Sequence, residues 1–360
     1  MSQSAPPSRP SKTNPADTEN VRHGPSSRRS LSRPLTEEDG IDLRAEVCEA
    51  TTEGVDAVSW SEAARRWRSY IEDKEGTEAI FENSVGDRVT GGDPHRFDPA
   101  YSAKQYAKLK DLERGLRDDY GKRLHTAMLT FTASSTDDDG EPLPPVDHLD
   151  ELLSSWEAVT RSLRREMDGR RYERLAILEP HKSGYLHIHM AVFVDGPIRR
   201  DDFAPVIEAH LRNCEAAGRD AHDLADDSTV SVRHVGADRS EDTIENLGTY
   251  LAEYLGAYGD DPREAAEHVQ KSNAVLWATE KRRWRPSNGA QEYMATNRKE
   301  TALSDWELVA IRDGEGEEHE VTAGAGGVAR MTTCTDVRDH PPPGDRSPPV
   351  QVDLYEGASE

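Results

Sequence analysis

Apolar and polar residues alternate most regularly in residues 186–194, LHIHMAVFV, which is the period of a strand with one buried face. Residues two apart on a strand point the same way. Leu186, Ile188, Met190, Val192 and Val194 are therefore expected to face a core, with His187 and His189 side by side on the opposite face. Residues 172–179 read as a second strand, and residues 180–184, PHKSG, supply the turn between the two. A hairpin of this kind brings Glu179 close to both histidines.

The same reading places helices at residues 60–73, started by Ser59 or Ser61, and at 98–120, which opens on Asp-Pro. A long helix is expected over 147–167, where Leu149, Leu152, Leu153, Trp156, Val159 and Leu163 form one stripe. Another is expected over 200–214. Residues 123–132 and 229–235 read as strands, with Thr130 and Thr132 on one face of the first and Leu129 and Phe131 on the other. The order strand, helix, strand, strand, helix, strand, helix is a split βαβ, ferredoxin-like arrangement. It predicts an α+β fold with a central antiparallel sheet that presents His187 and His189 on its open face.

Residues 243–258 read as the helix that follows. Ile244, Leu247, Leu251 and Leu255 define its buried stripe, and Tyr258 falls within it. Tyr250 and Tyr254 are four apart, so their phenols lie one turn above the other on a single face. Residues 262–279 read as one more helix. The most basic short stretch comes next: Arg282, Arg283, Trp284 and Arg285 suit phosphate contact and base stacking. The competing reading is a final strand with a solvated face.

Composition changes this picture at the ends and at the surface. Residues 1–45 are rich in Ser, Pro and Arg, and residues 301–360 in Gly, Glu, Asp and Pro; both read as disordered tails. Residues 46–120 read as a helical N-terminal extension and 121–300 as the folded functional domain. There are 69 acidic against 45 basic residues, a formal charge of -24, and only ten of the basic residues are Lys. An acidic, Lys-poor, Arg-rich surface is the composition of a protein adapted to molar salt, where the Debye length is about 3 Å. The acidic balance argues against nucleic-acid binding through a broad basic face. That argument weakens in high salt, where counterion release drives little binding. Cys48, Cys214 and Cys334 are far apart and form no metal or disulfide pattern. No apolar run is long enough to cross a membrane and no secretory segment opens the chain, so a cytoplasmic location is expected.

Two imidazoles and a carboxylate suit a divalent cation that keeps positions open for substrate. A closed structural zinc site is disfavoured, because no cysteine lies nearby to complete four ligands.

Three motifs now stand in order: LTFT at 129–132, HIH at 187–189 and YLAEY at 250–254. Their order and spacing resemble the rolling-circle replication initiators of the HUH endonuclease superfamily, and the acidic composition makes those of halophilic archaeal plasmids and viruses the nearest likeness. The resemblance covers roughly residues 120–290. It implies that 121–300 is an HUH endonuclease domain, that His187 and His189 bind Mg²⁺ or Mn²⁺, and that Glu179 is the third ligand. Tyr254 matches the nucleophile and Tyr250 the second tyrosine of the two-tyrosine branch. Many single-tyrosine relatives have Lys where this chain has Ala257. The implied partner is single-stranded or cruciform origin DNA, nicked to leave a 5′-phosphotyrosine and a free 3′ hydroxyl for a DNA polymerase. The sequence has no GxxxxGK[ST] loop, so unwinding is expected of a separate helicase. An HUH transposase shares the site chemistry, and a non-catalytic DNA-binding regulator on the same sheet is the alternative without chemistry.

Overall fold

The computed structural model describes residues 28–52, 54–92, 95–235, 261–295, 306–320 and 331–333. In chain order these form α1 (Arg28–Ser32), β1 (Asp42–Arg44), β2 (Cys48–Ala50), β3 (Val55–Ala57), α2 (Trp60–Lys74), β4 (Glu78–Asn83), β5 (Arg88–Gly92) and α3 (Pro99–Tyr120). The central block runs β6 (Leu124–Phe131), α4 (Pro145–Ser154), α5 (Trp156–Glu166), β7 (Tyr172–Pro180), β8 (Leu186–Asp195), α6 (Ala204–Asn213) and β9 (Val230–His234). Then come α7 (Glu267–Thr279), β10 (Trp284–Pro286), α8 (Asn288–Ala295), β11 (Trp306–Arg312), β12 (Glu318–Glu320) and β13 (Met331–Thr333).

The central sheet has the order β10-β7-β8-β6-β9, and every neighbouring pair is antiparallel. Two neighbours in space, β8 and β6, are separated in sequence by a helical layer and a strand, as the split βαβ pattern requires. The α+β class and central antiparallel sheet expected from the element order are therefore present, with β10 added beyond β7. A second sheet has the order β12-β11-β4-β5.

The alternation on β8 sorts its residues between two cores. Leu186, Ile188, Met190, Val192 and Val194 join Ala176, Leu178, Leu129 and Phe131 in a buried cluster with α2, α4, α5, α6 and α7. Ala191 and Phe193 face the other way, with Leu175 and Ile177, against Leu109, Leu112 and Leu116 of α3 and Ala290 and Met294 of α8. At roughly 25 cal/mol per Å² of apolar surface, each fully buried Leu or Phe contributes on the order of 2 kcal/mol. The face carrying His187 and His189 is thus not open along its length. Two helices cover one end of it, because α3 and α8 pair with each other over the β7–β8 strands, a long-range contact that local periodicity does not encode.

Other expectations are corrected. The single helix expected over 147–167 is two, α4 and α5, separated at Ser155. The Ser155 hydroxyl lies 3.3 Å from the Leu152 carbonyl and 2.7 Å from His210 Nδ1, so the side chain competes locally with the helix ladder. The extension before residue 121 is not only helical, since β4 and β5 pair along Glu78–Gly92 and Glu82–Arg88. Stretches read as tails contain packed elements: Leu35 and Leu43 are fully buried, and β11 pairs with β4 with Ala310 and Ile311 buried. The β11 segment WELVAIR is itself largely apolar, but the acidic and glycine-rich composition around it hides the signal. Ser59, not Ser61, caps α2: its hydroxyl accepts from the Glu62 amide at 3.3 Å.

Candidate metal centre

The β7–β8 turn sets the site. The His181 amide donates to the Tyr185 carbonyl at 2.8 Å and the Gly184 amide to the His181 carbonyl at 2.8 Å, closing a tight loop in which Gly184 has φ +95. Only glycine takes that conformation without strain. The closed turn fixes the register, pairing Glu179 with His187 and Ile177 with His189. All odd-numbered positions here face the same side, so one carboxylate and two imidazoles meet.

They meet closely. Glu179 Oε2 lies 2.6 Å from His189 Nε2 and 3.3 Å from His187 Nε2. The two Nε2 atoms are 2.9 Å apart. Three atoms bearing lone pairs repel at these separations unless a proton or a cation lies among them. Ligands about 2.1 Å from an octahedral ion are roughly 3 Å from one another, so the donor set has the size and chemistry for a divalent cation. Thr130, across the ladder from His189, places its hydroxyl 3.1 Å from His189 Nδ1. With Nδ1–H donating to Thr130, the Nε2 lone pair is turned into the cluster.

Burial and pairing set the charge states. Burial alone would raise the pKa of Glu179, but hydrogen bonds from the Nε2–H groups of His187 and His189, whose protons a bound cation would replace, outweigh it and hold the carboxyl well below its ordinary range. Burial lowers the pKa of His189, which favours the neutral, ligating form. Glu179 and His189 are buried, and His187 is partly exposed, so the cluster has one accessible side. The His181 ring lies 6.3 Å from that of His187, and burial lowers its pKa to about 4. Among the described residues one other group has ligand atoms in reach, Asp313, Glu317 and His319, on a surface hairpin.

The structure brings Glu179, His187 and His189 together as the hairpin reading expected. Tyr250 and Tyr254 lie outside the described residues. Arg282 and Arg283 lead into the edge strand β10, where Trp284 pairs with Ile177 and Arg285 with Ala176. The Arg283 guanidinium donates to the Leu178 carbonyl at 3.0 Å and to Asn273 Oδ1 at 2.5 Å, which ties it to the fold. Trp284 packs against the α3 side, with Lys108 Nζ 5.8 Å from its ring. Thr130 is the contact residue that sequence reasoning did not assign; its position on the same face as Thr132 was visible, but its pairing with His189 was not.

The model of the family described as "Putative rep protein (DUF1424)" matches residues 32–345. The chain belongs to that family. This rep-family chain is similar to an "Uncharacterized 36 kDa protein" of Halobacterium salinarum, 47% identical over 284 residues, covering 77% of this chain and 90% of the relative. A protein of the same description from Halobacterium sp. (strain GN101) is 43% identical over 296 residues, 78% of this chain and 90% of the relative. Both come from Halobacterium, in keeping with the acid-rich, Lys-poor composition of this rep-family member. No solved structure gives a significant match. Among the described residues no helix is long and apolar enough to cross a membrane.

Proposed function

We propose that this rep-family protein is a rolling-circle replication initiator of the HUH type, which nicks and rejoins single-stranded or cruciform origin DNA. The observation that carries the reading is the convergence of Glu179 Oε2 with the Nε2 atoms of His187 and His189 within 4.8 Å on one sheet face. Membership of a rep family supports the substrate class. Glu179, His187 and His189 would hold Mg²⁺ or Mn²⁺, which when bound neutralises charge at the scissile phosphate. Thr130 orients His189 for that role.

Tyr254 is the proposed nucleophile and Tyr250 the second tyrosine. The Tyr254 phenolic oxygen bonds to phosphorus, the bond from phosphorus to the 3′ oxygen breaks, and the departing oxygen gains the phenol's proton. A phenol with pKa near 10 is protonated at neutral pH, so this step depends on an aligned, charge-neutralised phosphodiester. The 5′-phosphotyrosine conserves the energy of the broken link, so a second transfer can rejoin the strand. The free 3′ hydroxyl serves a separate polymerase, and a separate helicase opens the duplex.

The test is a mass shift on a denaturing gel after incubation with single-stranded origin DNA and Mn²⁺. Wild type is expected to form a covalent adduct that disappears in EDTA, in His187→Ala and in Tyr254→Phe. Cleavage that survives EDTA would refute the metal-assisted mechanism, and an undiminished adduct in Tyr254→Phe would move the nucleophile to Tyr250 or Tyr258.

A further inference from the structure

Arginine supplies most of the positive charge of this acid-rich chain, and many of its guanidiniums are held by carboxylates. Arg171 pairs with Asp119 and Asp195, Arg170 with Asp202, and Arg263 with Asp261 and Glu75. The β10 edge departs from this pattern. Trp156, the first residue of α5, has the Arg174 guanidinium of β7 over its ring at 5.1 Å and that of Arg285 of β10 at 5.9 Å. Neither arginine forms an ion pair among the described residues, and Arg174 Nη1 is buried without a hydrogen-bond partner.

Two more cations enlarge the patch. Arg164, two turns along α5 from Trp156, acts on Arg174, and Arg282 acts on Arg285. Both are exposed, and neither is ion-paired among the described residues. Burial disfavours the charged forms of Arg174 and Arg285; Arg282 repels Arg285, and at Arg174 repulsion from Arg164 and Arg285 works against attraction from Tyr172 and Glu173. Cations gathered without an ion-pair partner cost free energy that a bound anion recovers. Guanidinium matches the oxygens of a phosphate diester through paired hydrogen bonds. With two guanidiniums already over its ring, Trp156 acts as a spacer and offers little surface for stacking a base.

Arg285 pairs in register with Ala176, which faces the core on the α5 side of the sheet, whereas Glu179 faces the other side. A strand held at the metal cluster must therefore round the β10 edge to reach these arginines. We propose that Trp156, Arg164, Arg174, Arg282 and Arg285 form a phosphate-gripping site for the DNA segment flanking the nicked one, contacted through its backbone and independent of base sequence. The identity of the anion rests on the nickase reading above.

Fluorescence anisotropy with two single-stranded oligonucleotides of unrelated sequence, over a series of KCl concentrations, tests this. Arg174→Gln combined with Arg285→Gln is expected to weaken both oligonucleotides by the same factor, roughly tenfold or more. The slope of log K against log salt should fall by about 1.4, at roughly 0.7 per phosphate on a single strand. Arg174→Lys with Arg285→Lys should keep the wild-type slope. If wild type binds and the Gln pair matches it in affinity and slope, or the Lys pair loses as much as the Gln pair, the patch is not a phosphate site and the metal-centre reading stands. If wild type binds no DNA at any salt, the nickase reading itself falls and takes this site with it.

Discussion

Thr130 and His189 face each other across the β6–β8 ladder, with the Thr130 hydroxyl 3.1 Å from His189 Nδ1. When the hydroxyl accepts from Nδ1–H, Nε2 is the nitrogen left for a metal. Partners of this kind are typically worth 10–100-fold in metal affinity. Thr130→Val, nearly the same shape without the hydroxyl, should weaken Mn²⁺ binding by roughly that factor, while Thr130→Ser retains it. Titration calorimetry decides the matter: equal Kd values in wild type and Thr130→Val would remove Thr130 from the site.

Glu179 gives a second handle on the same cluster. Without an ion, its carboxylate stays charged despite burial because the Nε2–H groups of His187 and His189 hydrogen-bond to it, and a bound cation would take the place of those protons. A ligand that binds only the folded chain stabilises it by RT ln(1 + [L]/Kd), about 2.7 kcal/mol at a hundredfold excess over Kd. Mn²⁺ is therefore expected to raise the Tm of wild type, with EDTA reversing the gain. Glu179→Gln removes the anionic ligand and should abolish the Mn²⁺-dependent rise. A rise of the same size in that variant would mean that the ion binds elsewhere.

Much of this hairpin was legible because each step is local. Alternation assigned the faces of residues 186–194, and a short turn carrying Gly184 set the pairing of Glu179 with His187. The strand order followed from the succession of elements. What escaped depends on contacts far apart in sequence. The packing of α3 with α8 over Leu175 and Ile177, the docking of β11 on β4, and the meeting of Trp156 with Arg174 and Arg285 leave no periodic trace. The break at Ser155 belongs here too, since the partner of its hydroxyl is His210, 55 residues away.

Two buried histidines make stability depend on pH. His148 Nε2 donates to the Ala133 carbonyl at 3.2 Å, and His210 Nε2 donates to the Thr132 carbonyl at 2.9 Å while its Nδ1 accepts from Ser155. Burial lowers each pKa from 6.5 to about 4, so both rings are neutral at neutral pH. The unfolded chain takes up these protons near pH 6.5 and the folded chain only near 4, so their contribution is complete above about 6.5 and is lost as the pH falls towards 4. The slope is about 1.4 kcal/mol per pH unit for each histidine. Urea unfolding in EDTA across this window should show it, and His210→Gln should lower the slope by about 1.4 kcal/mol per unit. An unchanged slope would contradict the neutral assignment.

Gly184 tests whether the turn governs the metal site. At φ +95 a side chain is strained, and a Cβ there would lie 3.1 Å from both Lys271 Cβ and Trp60 Cζ2. Neither neighbour can easily retreat. Trp60 is fully buried, in edge contact with Tyr185, and its indole N–H donates to the Lys271 carbonyl at 3.0 Å. Gly184→Ala is expected to cost roughly 1–3 kcal/mol of stability, from left-handed backbone strain with crowding added. Because this turn sets the register that brings Glu179 opposite His187, the variant should also bind Mn²⁺ more weakly, at a temperature where it remains folded. Urea unfolding measures the first effect and calorimetry the second. If stability falls while Mn²⁺ affinity is unchanged, the β7–β8 ladder holds its register without help from the turn.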